Sequence, residues 1–222
     1  MTPSTWDHSS DKVRPWTGKR LFDVAFALAT APAWASLTAA CAVWVKLDSP
    51  GPVFYRARRS GRDGRPFRLF KLRTMVVNAE NLGGWTTGRG DPRVTRAGRV
   101  LRRYKLDEVP QFLNVLLGDM SIVGPRPEVE AYTSQYKGEE LVILAVRPGL
   151  TDFSSVQFAS LDEHVGSVDV DRTFEKTVLP VKNRLRVKYV REQSLLTDVG
   201  IIFDTVRVLG EKLVRGSGGE GA

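Results

Sequence analysis

LFDVAFALATAPAWASLTAACAVWV, residues 21–45, is the stretch on which the fold turns. After Asp23 it holds no charged side chain for twenty-two residues, enough for one helical crossing of a bilayer. It reads as a transmembrane helix, as a secretory signal, or as a helix that enters a membrane, bends and leaves by the same face. A buried core helix is the plain alternative, but so long an uncharged run ordinarily faces lipid. The flanks discriminate. Lys19 and Arg20 precede the run, and Lys46 and the Arg56–Arg73 cluster follow it. Basic flanks prefer the cytoplasmic side, so a single span would strand one of them. Pro32 breaks or kinks a helix in mid-run. Ala31, Ala33, Ala35 and Ser36 are small enough to pack closely in a bend. Cleavage after Ala33-Trp34-Ala35, or acylation at Cys41, fits less well, because Thr38 stands where a lipoprotein signal has Leu. The re-entrant reading is preferred.

Charge is as uneven as hydropathy. The 222 residues carry a net charge of +8, which predicts an anionic partner: a nucleic acid, a lipid headgroup or a phosphorylated small molecule. Residues 56–73 hold eight Arg/Lys against one Asp, and residues 89–105 hold seven against one. The remainder is net acidic, so the pattern favours a local anion site over a uniformly basic surface. Cys41 is the only cysteine, which excludes an intrachain disulfide, and His8 and His164 are the only histidines. A His/Cys zinc site is thereby excluded, and any metal must be hard and oxygen-ligated, such as Mg²⁺.

Residues 1–18 are polar and expected to be disordered. VFYRARR (53–59) and PFRLFKLRTM (66–75) read as strands joined through Gly61-Arg62-Asp63-Gly64. Residues 78–94, rich in glycine, read as a flexible loop. A short helix is expected over Arg96–Tyr104. A second is expected over Asp107–Leu117, with Asp107 as N-cap, Pro110 in the first turn and Gly118 as the stop. Residues 139–146 and roughly 173–214 read as helical. In the last segment Leu195, Val199, Ile202, Phe203, Val206 and Leu209 form an apolar stripe, fit for core packing or for a membrane surface.

Asp107 and Glu108 stand at the edge of the second basic cluster. A helix N-terminus favours carboxylates and bound phosphates alike. A positioned carboxylate can attack phosphorus, and two carboxylates can hold Mg²⁺. Such a reaction needs cations for the transferring phosphate, and Lys71, Arg102 and Arg126 are the candidates. An Asp-Glu pair at a helix start is also ordinary capping chemistry, and arginine clusters are ordinary solvated faces. A non-enzymatic, membrane-anchored module binding anionic lipid or nucleic acid is the rival reading. The acid dyad and the absence of a nucleic-acid motif count against it.

Taken together, KRLFD (19–23), KLDSPGPVFYR (46–56), GRPFRLFKLRTM (64–75), DPRVTRAGRVLRRYKLDEVPQFLNVLLGDMSIVGPRP (91–127) and VRPGLTD (146–152) closely resemble the small monotopic phosphoglycosyl transferases among the bacterial sugar transferases. The resemblance covers roughly residues 19–209. It implies an α+β, mostly helical fold: a re-entrant membrane helix over 19–48, a cytoplasmic catalytic domain over 49–214 with a short β-hairpin and amphipathic membrane-surface helices, and flexible tails at 1–18 and 215–222. It implies transfer of a sugar-1-phosphate from a UDP-sugar to polyprenyl (undecaprenyl) phosphate, with release of UMP, at the start of surface-glycan assembly. Asp107 would be the nucleophile that forms an aspartyl phospho-sugar. Asp107 and Glu108 would hold Mg²⁺. Lys71, Arg102 and Arg126 would bind phosphate, Arg147 would contact the nucleotide, and Gln111 would orient the dyad. The location implied is the bacterial inner membrane, with membrane lipid as a partner, no nucleic acid, and a homo-oligomer left open. In two places the chain departs from the family pattern. The family's Ser-Pro bend would fall near Ala35-Ser36, whereas Pro32 lies about one turn earlier. RPGLTDFSSVQF replaces the usual R-P-G-[IL]-T-G-W, in a stretch able to touch nucleotide or sugar.

Overall fold

The computed structural model describes residues 13, 15–84, 86–88 and 90–217, without the side chains of 162, 163 and 215–217. Most of the expected 1–18 tail, with His8, lies outside the described residues, as do residues 218–222. Helices α1 (Lys19–Ala29) and α2 (Ala31–Asp48) open the fold. Strands β1 (Phe54–Tyr55), β2 (Arg58–Ser60), β3 (Pro66–Arg68) and β4 (Lys71–Leu72) follow. Next come α3 (Arg96–Arg103), a 3-10 turn (Leu106–Gln111), α4 (Phe112–Leu117), β5 (Ser121–Val123) and α5 (Glu130–Thr133). After a second 3-10 stretch (Gly138–Ala145), β6 (Gly149–Thr151) leads to α6 (Phe153–Gln157), α7 (Leu161–Val165) and α8 (Val170–Thr173). A π-helical turn (Phe174–Val178) runs into α9 (Leu179–Glu192), and α10 (Leu195–Ser217) closes the chain. Among the described residues the architecture is mostly helical with three small two-stranded sheets.

The apolar run is broken in two. Among the described residues no single helix is long and apolar enough to cross a membrane; α1 and α2 meet that test together, bent by 60°. The bend lies at Thr30, two residues before Pro32 in the first turn of α2, and not at Ala35-Ser36. Proline supplies the reason, since it fits a helix start and cannot continue one. Side chains add donors to the carbonyls at the break. Thr30 Oγ1 donates to Phe26 O at 2.8 Å and Trp34 Nε1 to Ala27 O at 2.9 Å. Such repair is what a broken helix in an apolar medium requires. Leu37, Val43, Trp44 and Leu47 on α2 are exposed, which does not fit a core helix.

One face of this pair is bolted to the rest. Trp34 stacks on Phe112 of α4 with centroids 5.6 Å apart. Arg20 donates to Val115 O at 2.6 Å and Leu116 O at 3.1 Å, satisfying the carbonyl end of α4. Asp23 is buried and accepts from Ile122 N at 3.0 Å and Ser121 Oγ at 2.8 Å in β5. Lys19 bridges Asp23 (3.1 Å) and Asp198 of α10 (2.8 Å). Cys41 and Val45 of α2 pack with Leu72 and Leu101.

The expected hairpin is a continuous antiparallel ribbon, with Tyr55 opposite Lys71 and Arg59 opposite Phe67. Asp63 and Gly64 both take positive φ at its turn, the backbone that an Asp-Gly pair tolerates. The parallel pair β5–β6 was not expected; its three-residue strands are too short to show a period. Here a Cβ at Gly149 would lie 2.1 Å from Gly124 N, so only glycine permits the approach. The main core gathers Val115, Met120, Ile122, Val123, Tyr189, Val190 and Ile201. Most of the α10 stripe does not join it: Leu195, Val199, Phe203 and Val206 face outward, whereas Ile202 packs against the core beside the buried Ile201.

Candidate active site

Strand alternation brings Lys71 to the dyad. Along β3–β4, Arg68 is exposed while Leu69 is buried, and Lys71 shares the inward face with Leu69. Its Nζ lies 2.9 Å from Asp107 Oδ2 and 3.3 Å from Glu108 Oε1. The dyad sits on the 3-10 turn and not at an α-helix N-terminus. The position before the turn is Lys105, and Asp107 makes no capping bond, which corrects the expected N-cap role. Gly118 ends α4 at φ +92°, as expected. Arg126 follows β5 on Gly124-Pro125-Arg126-Pro127 and grips Glu108 through both guanidinium nitrogens, one of them 2.8 Å from Oε2. Burial pushes the Glu108 carboxyl upward, but Arg126, Lys71 and Lys105 outweigh it and hold it well below the usual carboxylate range.

Asp107 is almost fully buried, and its Oδ1 has no hydrogen-bond partner. A buried carboxylate oxygen left without a donor is costly, and such groups mark places where a ligand completes the set. The donor chemistry suits a hard divalent cation. Yet Glu108's oxygens are taken by Arg126 and Lys71, and no group of three or more Asp, Glu, His or Cys able to hold a metal occurs among the described residues. Substrate oxygens or water would have to complete a metal's shell.

The other expected residues are distributed differently. Arg102 donates to Thr74 Oγ1 at 3.3 Å and makes no ion pair with the dyad. Gln111 is buried at the end of the dyad's turn, without a hydrogen bond to either carboxylate. Arg147 donates through Nε to Gly118 O at 2.8 Å, and the charges acting on it are Arg20, Arg62 and Asp23. In the divergent RPGLTDFSSVQF stretch, Asp152 is fully buried. It caps α6 through Ser155 N at 2.7 Å and accepts from Arg126 N at 3.2 Å, so it holds the Arg126 loop. Glu128, two residues after Arg126, pairs with the fully buried Arg186 at 2.6 Å. Lys182, nearby on α9, is buried between Phe158 and Phe174 without an ion pair, and burial pushes its amine down to about 7. Sequence alone did not single out Asp152, Glu128, Lys182 or Arg186. The available signal was Asp152 before a short helix, an N-cap pattern.

The model of the bacterial sugar transferase family matches residues 14–212. An N-acetylgalactosamine phosphotransferase of Aeromonas hydrophila, acting from the UDP-sugar to undecaprenyl phosphate, is 38% identical over 86% of this chain and 43% of its own length. The UDP-glucose:undecaprenyl-phosphate glucose-1-phosphate transferase of Escherichia coli K12 is 40% identical over 74% of this chain and 34% of its own. The chain thus spans less than half the length of these two relatives. The exopolysaccharide production protein ExoY of Sinorhizobium fredii is 35% identical over 87% of both chains.

Proposed function

The chain belongs to the bacterial sugar transferase family, and from that premise we propose that it transfers a sugar-1-phosphate from a UDP-sugar to undecaprenyl phosphate. The observation that carries the reading is the buried, unpartnered Oδ1 of Asp107, held beside Lys71 and the Arg126–Glu108 pair. A desolvated carboxylate oxygen with no donor to satisfy it is primed to attack phosphorus. In the first step an O–P bond forms between Asp107 and the β-phosphorus. The phosphoanhydride bond breaks, and UMP leaves with its electron pair. Lys71 and Arg126 offset the charge of the reacting phosphoryl group. In the second step a phosphate oxygen of the polyprenyl acceptor attacks the same phosphorus and releases the Asp107 carboxylate. Asp107 and Glu108 would hold Mg²⁺, whose chemistry would be to neutralise the diphosphate. Asp152 and the Glu128–Arg186 pair fix the loop that presents Arg126.

The bent α1–α2 pair, its exposed apolar residues and its basic flanks support a monotopic seat on the cytoplasmic face of the bacterial inner membrane. The reaction site then lies near the headgroup plane, where the acceptor's phosphate is found. The test is intact mass after mixing the detergent-solubilised chain with Mg²⁺ and a panel of UDP-sugars. One phospho-sugar added to the wild type and none to Asp107→Asn is the expected result. No adduct with any donor, and no UMP on adding acceptor, would refute the reading.

A further inference from the structure

The charges at the centre cancel. Lys71 and Arg126 face Asp107 and Glu108, two cations against two carboxylates. Such a quartet has no surplus with which to draw a diphosphate bearing about two negative charges. Arg102 does not supply it from its place on Thr74. Two other cations do. Arg59 lies opposite Phe67 in the ribbon, on the inward face shared by Ala57, Leu69 and Lys71, while Arg56, Arg58 and Arg68 point to solvent. Its strand neighbour Ser60 donates to Glu128 O at 3.0 Å, which holds Arg59 against the Arg126 loop. Arg59 is half-buried and, among the described residues, has no ion pair and donates only to the carbonyl of Arg58 at 2.9 Å. Glu128, the first acid to act on it, is already claimed by Arg186. Lys105 comes from the other side. It is half-buried and without an ion pair, at φ +59° in the residue before the dyad's turn. Burial lowers its amine's pKa, and the charges acting on it are Glu108, Arg126, Asp107 and Lys71. A lysine in the left-handed region is unfavourable, and such placements gather where a side chain must be aimed.

We propose that Arg59 and Lys105, the two unneutralised cations facing the quartet from the ribbon and from the turn, are the contacts for the donor's diphosphate. Together they supply the two positive charges that the quartet lacks, and Lys105 stands two residues before Asp107, whose Oδ1 has no donor. The assignment rests on the transfer reading given above, and it adds two substrate-binding cations to Lys71 and Arg126.

The test uses the full chain in detergent, with inorganic pyrophosphate as the calorimetric probe, beside steady-state kinetics with the accepted UDP-sugar. Arg59→Met and Lys105→Gly should each weaken pyrophosphate binding and raise KM about tenfold, with kcat changed much less. Arg59→Lys should recover most of the loss. Lys105→Gly should keep the wild-type melting midpoint, because glycine takes φ +59° without strain, so its loss of binding cannot be a folding defect. A wild type that transfers, with both variants matching its KM and pyrophosphate affinity within twofold, overturns the assignment alone. A wild type that neither transfers nor binds pyrophosphate overturns both readings.

Discussion

Two clusters of buried charge meet the segment 121–126 at its two ends. At the β5 end, Asp23 and Asp198 share Lys19, and every carboxylate oxygen has a donor. Asp23 is served by Lys19, Ser121 Oγ and Ile122 N. Asp198 is served by Lys19, Trp16 Nε1 at 3.0 Å and Tyr189 Oη at 2.8 Å. At the Arg126 end, the dyad has similar residue types and similar burial, but Asp107 Oδ1 has no donor and two nearby cations have no acid. Burial and charge are common to both clusters, and satisfaction separates them. The satisfied cluster holds the membrane-directed helices to the core, and the unsatisfied one is where a substrate completes the set.

The contrast is broken most directly at the nucleophile. Asp107→Asn should lower UMP release by about four orders of magnitude, roughly 5 kcal/mol of barrier, with little change in melting midpoint. A comparable loss of stability would place Asp107 in the structural class instead. Asp198→Ala should do the reverse. It leaves Trp16 Nε1 without its acceptor, and Lys19 and Tyr189 with only Asp23 and Val123 O, and should destabilise the fold by about 3 kcal/mol, read by denaturant unfolding in detergent, while the folded fraction keeps its turnover.

Lys182 sharpens the comparison through pH. Its folded amine titrates near 7 because burial disfavours the charge, against about 10.5 in the unfolded chain. Between those values the unfolded chain binds the extra proton, so stability rises with pH across that window and the penalty is complete below it. Lys182→Met should therefore stabilise the protein by about 2 kcal/mol at pH 6.5, with the gain shrinking by pH 9.5. A gain that does not vary with pH would mean that Lys182 is not the buried charge assumed. The smallest effect belongs to Trp34→Phe. It keeps the stack on Phe112, removes the bond to Ala27 O, and should cost about 1 kcal/mol in thermal unfolding.

Much of this was legible in residue order. The uncharged run, its basic flanks and Pro32 foretold a bent pair, because each acts locally on helix continuity and on membrane orientation. The Gly61–Gly64 turn between the strand-like stretches 53–59 and 66–75 foretold the ribbon that carries Lys71. The dyad and Arg126 were legible as a pattern of acids beside arginines. What stayed hidden depends on residues far apart in the chain. Asp107 was taken for a cap because the sequence cannot show that a lysine thirty-six positions earlier claims its oxygen. Arg102 was read as a phosphate contact from charge and resemblance and Arg147 as a nucleotide contact from resemblance; that the fold engages Arg102 with Thr74 and Arg147 with Gly118 was not legible.

The sequence by itself determined that the chain carries a bent apolar element, a basic ribbon and a carboxylate pair beside cations, since hydropathy, proline and charge pattern are properties of neighbours. Only the tertiary structure decided which charges cancel. Ion pairing depends on distances of a few ångströms between segments that the chain order leaves apart, and among the described residues those distances leave Asp107 Oδ1 without a donor and Arg59 and Lys105 without an ion pair.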